Sequence, residues 1–185
     1  MKQILGGIRK AVQDFDMIQD GDKIAVGVSG GKDSMILLYA LKLFQYFSPV
    51  KYELAAITLS LGFDNFDLSK VEDYFKKIEV PYKIVDTQIA NIIFDIRKEK
   101  NPCSLCAKMR RGALHDAVNE LGFNKVALGH HADDAVETLF LSMLYEGRIA
   151  TFKPVTYLSS MLRSEEHTSE LQSLNDLVCR LLLEK

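Results

Sequence analysis

The sequence predicts an α/β fold, a doubly wound and mainly parallel sheet flanked by helices. Three observations carry that expectation. Short apolar runs with strand character alternate with runs whose apolar residues fall at helical spacing. A helix-length segment separates each strand from the next, as a parallel crossover requires. The two densest polar clusters directly follow strands, where open α/β sheets place their ligands.

Taken in order, Ile4, Ile8, Val12 and Phe15 stand at helical spacing and predict an amphipathic helix over 3–15. Asp20-Gly21-Asp22 is a turn into the first strand, Lys23 to Val28. The polar stretch Ser29-Gly30-Gly31-Lys32-Asp33-Ser34 then opens a helix from Met35 to Leu43 with a wide apolar face. Tyr52 to Leu59 is the second strand, and Gly62 to Asn65 loop out of its carboxyl end. A helix over 68–78 places Val71, Tyr74, Phe75 and Ile78 on one side and stops at Pro81. Tyr82 to Val85 is the third strand, and 90–97 is helical until Asn101-Pro102 breaks it. Cys103-Ser104-Leu105-Cys106 sits just ahead of a long helix, Ala107 to Leu121, closed by Gly122. Lys125 to Leu128 is the fourth strand, Gly129 to Asp134 its exit turn, and Ala135 to Tyr145 the helix that follows.

Length and composition narrow the classes. A chain of 185 residues can bury one substantial core. Hydrophobic content of 48% and charged content of 26% are ordinary for a globular protein. The net charge of −2 gives no electrostatic case for a nucleic-acid partner. No stretch is apolar enough to span a bilayer and the N-terminus has no signal-peptide pattern, so a cytoplasmic location without a membrane partner is expected. Three cysteines, two of them as Cys103-x-x-Cys106, do not form a secreted disulfide scaffold.

The cluster from Ser29 to Ser34 has the makings of an anion site. Adjacent glycines let backbone N–H groups converge on a phosphate, and the first helical turn adds unpaired amides. Lys32 supplies a point charge, Ser29 and Ser34 hydroxyl donors, and Asp33 a ligand for a metal ion held against phosphates. The common NTPase loop G-x-x-x-x-G-K-[ST] is not matched, because Asp33 follows Lys32 and Val26 stands where its first glycine belongs. The dinucleotide fingerprint is absent as well. The plain alternative is a Gly-Gly turn with incidental polar neighbours.

Cys103-x-x-Cys106 allows a metal or cluster half-site, a redox dithiol or two unrelated thiols, since a closed zinc site needs four ligands. Lys108, Arg110 and Arg111 follow, either as a basic face that lowers thiol pKa and meets an anion or as a solvated surface. In Gly129-His130-His131-Ala132-Asp133-Asp134 the carboxylates either cap a helix or hold magnesium and orient a nucleotide. Adjacent histidines at a turn more often make hydrogen bonds than bind zinc, and His115 reads as a helix-surface residue.

The first cluster resembles the S-G-G-x-D-S pyrophosphate loop of the PP-loop ATP pyrophosphatases, which have an adenine nucleotide alpha hydrolase-like sheet. With Cys103-Ser104-Leu105-Cys106, Arg110-Arg111-Gly112 and Gly129 to Asp134, the chain looks like the tRNA 2-thiocytidine synthetase (TtcA) family from about Ile4 to Leu162. The resemblance implies that ATP adenylates the C2 oxygen of a cytosine in the tRNA anticodon loop, and that sulfur then displaces AMP to give 2-thiocytidine. It assigns Ser29, Gly30, Gly31, Lys32 and Ser34 to pyrophosphate, and Asp33 with one or both of Asp133 and Asp134 to Mg2+ and catalysis. Thr58 and Leu59 go to the adenine pocket, Gly129 and His130 to the nucleotide, and Arg110 to the anionic intermediate or a tRNA phosphate. Cys103 and Cys106 match two of three cysteine ligands of a [4Fe–4S] cluster, the third lying in a later segment of family members. Implied partners are tRNA and a sulfur donor such as a cysteine desulfurase system, and the resemblance admits a homodimer.

Two qualifications shape the expectation. Arg163 to Ser173 looks like the translation of a short-read sequencing adapter, so residues 1–162 are expected to be the PP-loop catalytic domain and 163–185 a foreign tail, with Cys179 not a ligand. The alternative is a genuine helical tail, because Leu171, Leu174, Leu177 and Val178 fall at helical spacing. Rival functions are a 2-thiouridine-type PP-loop enzyme, a lysidine synthetase (against which the C-x-x-C speaks) and a non-catalytic adenine-nucleotide-binding domain.

Overall fold

Parallel pairing around one central strand organises the chain. The computed structural model describes residues 1–63, 67–97, 102–151, 153–158 and 176–183. Its elements are α1 (Lys2–Asp14), β1 (Asp22–Gly27), α2 (Lys32–Phe44), β2 (Tyr52–Ser60), α3 (Ser69–Lys77), β3 (Tyr82–Asp86), α4 (Ile89–Asn91, continued by a π turn at Ile92–Ile96), α5 (Pro102–Glu120), β4 (Lys125–His131), α6 (Ala132–Tyr145), β5 (Val155–Leu158) and β6 (Asp176–Leu183). The sheet order is β3-β2-β1-β4-β6-β5. The four strands expected from sequence are mutually parallel, with Gly27 opposite Ile57 of β2 and Leu128 of β4.

The sheet is wound on both faces because β1 alternates. Ile24 and Val26 join Leu37, Leu38, Leu41, Phe44 and Phe75 in one core, which also takes Ile8 and Val12 of α1. Ala25, between them, faces the other way and packs with Ile57, Val126, Ala117 and Val118. The first core is thus covered by α1, α2 and α3, and the second by α5. Helix α6 is different: it buries Ser142 and leaves Val136, Phe140, Leu141, Leu144 and Tyr145 exposed.

Several elements differ from expectation, among them α6, which starts at Ala132 and not at Ala135. Pro102 opens α5 instead of only breaking the preceding helix, since a proline at the first helical position loses an N–H that would have no acceptor anyway. Cys103 and Cys106 therefore lie inside the first turns of α5, not ahead of it. Strand β4 runs on to His131, so Gly129, His130 and His131 are strand residues and not an exit turn; β6 pairs along that whole length, Gly129 to Leu181 and His131 to Leu183. Two further strands exist: β6 is parallel to β4, and β5 is antiparallel to β6. Leucines at helical spacing hid β6, whose backbone is fixed by partners remote in sequence. The Gly62–Asn65 loop lies partly, and Arg163 to Ser173 wholly, outside the described residues.

The amino ends of β1 and β4 are held by a buried ion pair. Lys125 Nζ lies 2.6 Å from Asp22 Oδ2 and donates to the Met17 carbonyl at 2.9 Å. Asp22 also accepts from the Gln19 amide at 2.6 Å and from Asn124 Nδ2 at 3.0 Å. Asn124 Oδ1 in turn accepts from the Lys23 amide at 2.8 Å. Removing one member leaves a buried charge unmatched. Asp22→Ala is expected to cost about 3–5 kcal/mol of unfolding free energy, with much of it regained in Asp22→Ala/Lys125→Met, as urea denaturation would measure.

Candidate active site

The site forms where β1, β2 and β4 end together. After β1, the Val28 amide still donates to the Ile57 carbonyl of β2 at 2.8 Å, and the chain then leaves the sheet. Gly30 takes φ +83, a conformation that favours glycine, and Gly31 is the N-cap of α2 with extended φ and ψ. That turn starts the helix at Lys32, earlier than its apolar pattern suggested, and puts Lys32, Asp33 and Ser34 in the first turn. The amides of this turn have no intrahelical acceptor and point out of the helix end.

Hydroxyls brace the loop. Ser34 Oγ donates to the Gly31 carbonyl at 2.9 Å and accepts from the Ser29 amide at 3.3 Å, while Ser29 Oγ accepts from the Gly31 amide at 3.4 Å. Ser34 is buried; Ser29, Gly30, Gly31 and Lys32 are exposed, and Asp33 is half-buried. The loop therefore keeps its curvature without a ligand and offers amides, an ammonium and a hydroxyl to one. A phosphate chain suits such a cradle, being anionic and rich in acceptors.

Gly129 locks the second cluster to the first. A Cβ at this position would come within 2.9 Å of Asp33 C and Ser34 N, and 3.0 Å of Asp33 O. The β4 backbone thus meets the α2 backbone directly, and no side chain fits between. Beyond it, His130 is half-buried, Asp133 exposed and Asp134 half-buried. Asp134 Oδ2 accepts from the His131 amide at 2.9 Å, capping α6, and His131 Nδ1 lies 3.9 Å from Asp133 and 3.8 Å from Asp134. Both Asp133 and Asp134 stand in the first turn of α6.

At the end of β2, Thr58 is 2% exposed and its Oγ1 has no hydrogen-bond partner, while Leu59 is half-buried. A buried hydroxyl without a partner is costly unless a ligand or water completes it. Cys103 is exposed and Cys106 half-buried at i and i+3 in α5, whose exposed residues include Lys108, Arg110 and Arg111. The two thiols fit a thiolate-bound cluster in kind but supply only part of one. Among the described residues no group of three His, Cys, Asp or Glu side chains is close enough to hold a metal ion. Cys179 pairs in register with Ala127, in the middle of β4 and away from the strand's carboxyl end. His115 lies on α5, its Nδ1 3.2 Å from Asn119 Nδ2.

The need for glycine at 129 is not legible in the sequence, where the residue shows only as a glycine after an apolar run and before a polar cluster. Gly129→Ala is expected to push the first turn of α2 outward and weaken ATP binding about tenfold or more, overpacking of this kind costing roughly 1–3 kcal/mol. Isothermal titration calorimetry on the folded variant checks it.

A family model described as a PP-loop domain matches residues 4–183. The tRNA-cytidine(32) 2-sulfurtransferase of Anaeromyxobacter sp. (strain K) is 39% identical over 154 residues, which are 83% of this chain and 53% of that protein. The enzyme of the same name from Dechloromonas aromatica (strain RCB) is 42% identical over 154 residues, 83% of this chain and 54% of its own length. The chain thus spans about half the length of these relatives. Among solved structures, the U34-tRNA thiolase NcsA from Methanococcus maripaludis with its [4Fe–4S] cluster is similar at 27% identity and a TM-score of 0.67, over 80% of this chain and 51% of that one. With this sheet, this loop and a match over nearly its whole length, the chain belongs to the PP-loop domain family.

Proposed function

We propose that the chain is the ATP-binding, adenylating part of an enzyme that thiolates a cytidine of tRNA. The observation that carries the reading is the braced Gly30-Gly31 turn at the start of α2, with β4 against it through Gly129. The named activity of the bacterial relatives supplies the substrate class.

In this reading the α2 amides, Lys32, Ser29 and Ser34 take the β- and γ-phosphates, so the charge that develops on departing pyrophosphate meets fixed donors. The C2 oxygen of the base attacks the α-phosphorus and the bond to the pyrophosphate oxygen breaks, leaving an adenylated base. Asp33, with Asp133 or Asp134, would hold Mg2+ together with the phosphate oxygens, which is the usual small protein share of such a site and does not need three side chains gathered in advance. The ion would neutralise the triphosphate. The unsatisfied Thr58 hydroxyl and Leu59 border the adenine, Gly129 and His130 the nucleotide, and Arg110 meets the anionic intermediate or an RNA phosphate. Cys103 and Cys106 would give two thiolates to a [4Fe–4S] cluster, whose chemistry when bound is to present sulfur to the activated carbon. A cysteine desulfurase system would deliver that sulfur, in the cytoplasm, and two copies would pair as a homodimer. The likeness to a U34-tRNA thiolase favours, as second reading, a uridine in place of the cytidine.

The domain boundary at Leu162 is part of the same proposal, with 163–185 a foreign tail. It rests on the adapter-like run from Arg163 to Ser173. The family match to residue 183 and the place of β6 in the sheet favour the opposite reading. A chain ending at Leu162 is expected to bind ATP as the full chain does, and loss of binding would make β6 integral.

Lys32→Ala is expected to weaken ATP binding about ten- to hundredfold, roughly one charge-assisted contact of 1.5–3 kcal/mol. Calorimetry at fixed Mg2+ reads this, and unchanged affinity would remove Lys32 from the site. In the natural full-length protein, Cys103→Ala is expected to abolish cluster absorbance while leaving ATP affinity within about twofold, the lost thiolate being a cluster ligand. Retained absorbance would exclude Cys103 as a ligand.

A further inference from the structure

We propose that the exposed ring pair Phe63–Phe94 is a stacking platform for an unpaired base of the RNA substrate. The inference rests on the tRNA reading above and names the surface that would take the base.

Both rings are open to solvent, Phe63 48% and Phe94 53% exposed, yet they lie against each other with centroids 6.1 Å apart and planes tilted by 48°. Neither belongs to the two buried cores. Each is carried by backbone that the fold pins. The chain leaving β2 is tied to the start of α4, where the Thr87 amide and hydroxyl donate to the Ser60 carbonyl at 2.9 and 2.8 Å, and the Ala90 amide donates to the Leu61 carbonyl at 2.9 Å. Gly62, with φ +79, passes so close to Thr87 that a Cβ would lie 2.8 Å from its carbonyl oxygen. That close passage fixes where Phe63 emerges. On the other side, Ile89, Ala90 and Ile93 anchor the helical segment inward, 3%, 6% and 1% exposed, and Phe94 is presented outward on the π turn.

Position and charge point to a nucleobase. Phe63 follows β2, whose exit lies beside the phosphate loop that follows β1, so the platform stands at the same end of the sheet as the site. Helix α5 packs against the π turn bearing Phe94 and carries exposed Lys108, Arg110 and Arg111, and exposed Arg97 closes that same turn. Aromatic faces bordered by cations are how proteins hold bases of single-stranded loops: rings stack on the base and cations take the backbone phosphates. The chain's net charge of −2 leaves local cations, not a global field, to serve the phosphates.

The test uses the full chain and an anticodon stem-loop RNA carrying 2-aminopurine in its loop, which loses fluorescence on stacking. Phe94→Ala and Phe63→Ala are each expected to weaken RNA binding about tenfold or more and to abolish the quench. Phe94→Tyr is expected to keep both, and ATP affinity should stay unchanged in all three. Unchanged RNA affinity and quench in the alanine variants would overturn the platform while leaving the tRNA reading intact. Weaker ATP binding with unchanged RNA binding would overturn it too, making the rings part of the nucleotide pocket. Failure of the unmodified chain to bind the stem-loop at all would instead sink the tRNA reading, and the platform with it.

Discussion

The backbone contact between Gly129 and the first turn of α2 is the constraint on which the site depends. It sets how far the end of β4 stands from the phosphate loop, with no side chain to adjust the gap. Because β1 is paired to both β2 and β4, the loop after β1 is fixed on both sides. The loop's serines hold its curvature from within, so the donors are arranged before a ligand arrives and little reorganisation remains to be done on binding.

The opposite end of the same strands supports this arrangement. Asp22, Lys125 and Asn124 tie the starts of β1 and β4 through buried polar contacts that depend on one another. A slip of β4 by one residue would break the ion pair and also move Gly129 away from α2, since the register of a strand is shared along its length. The polar network and the Gly129 contact are thus satisfied by one and the same register of β4.

Whole-chain charge and local charge are different quantities here. A net charge of −2 gives no electrostatic case for a nucleic-acid partner, and it does not report that Arg97, Lys108, Arg110 and Arg111 are all exposed on α5 and the segment it packs on. Electrostatic recognition depends on where charges stand at distances below the Debye length of about 8–10 Å. The sum over the chain does not report that. The apolar outer face of α6 is a comparable case, since its sequence pattern alone gives a helix but not which side the fold covers.

Read alone, the sequence encodes the alternation of strands and helices, the parallel character of the sheet and the Gly30-Gly31 turn, because these follow from local periodicity and from glycines whose conformational use is local; which strands neighbour β1 does not follow from it. The three polar clusters are visible in it as residue types, but the elements that carry the two later ones are not: Cys103 and Cys106 lie inside α5, and Gly129 to His131 belong to β4. The tertiary structure alone decided that Gly129 abuts α2, that Asp134 caps α6, that Asp22 meets Lys125 and that Phe63 lies on Phe94. Each of these joins residues remote in sequence or turns on how a helix end is set, and no periodicity encodes it. Pro102 as a helix start and β6 as a strand belong with them: proline breaks or opens a helix according to its place, and leucines at helical spacing become a strand when an unpaired edge such as that of β4 fixes their backbone.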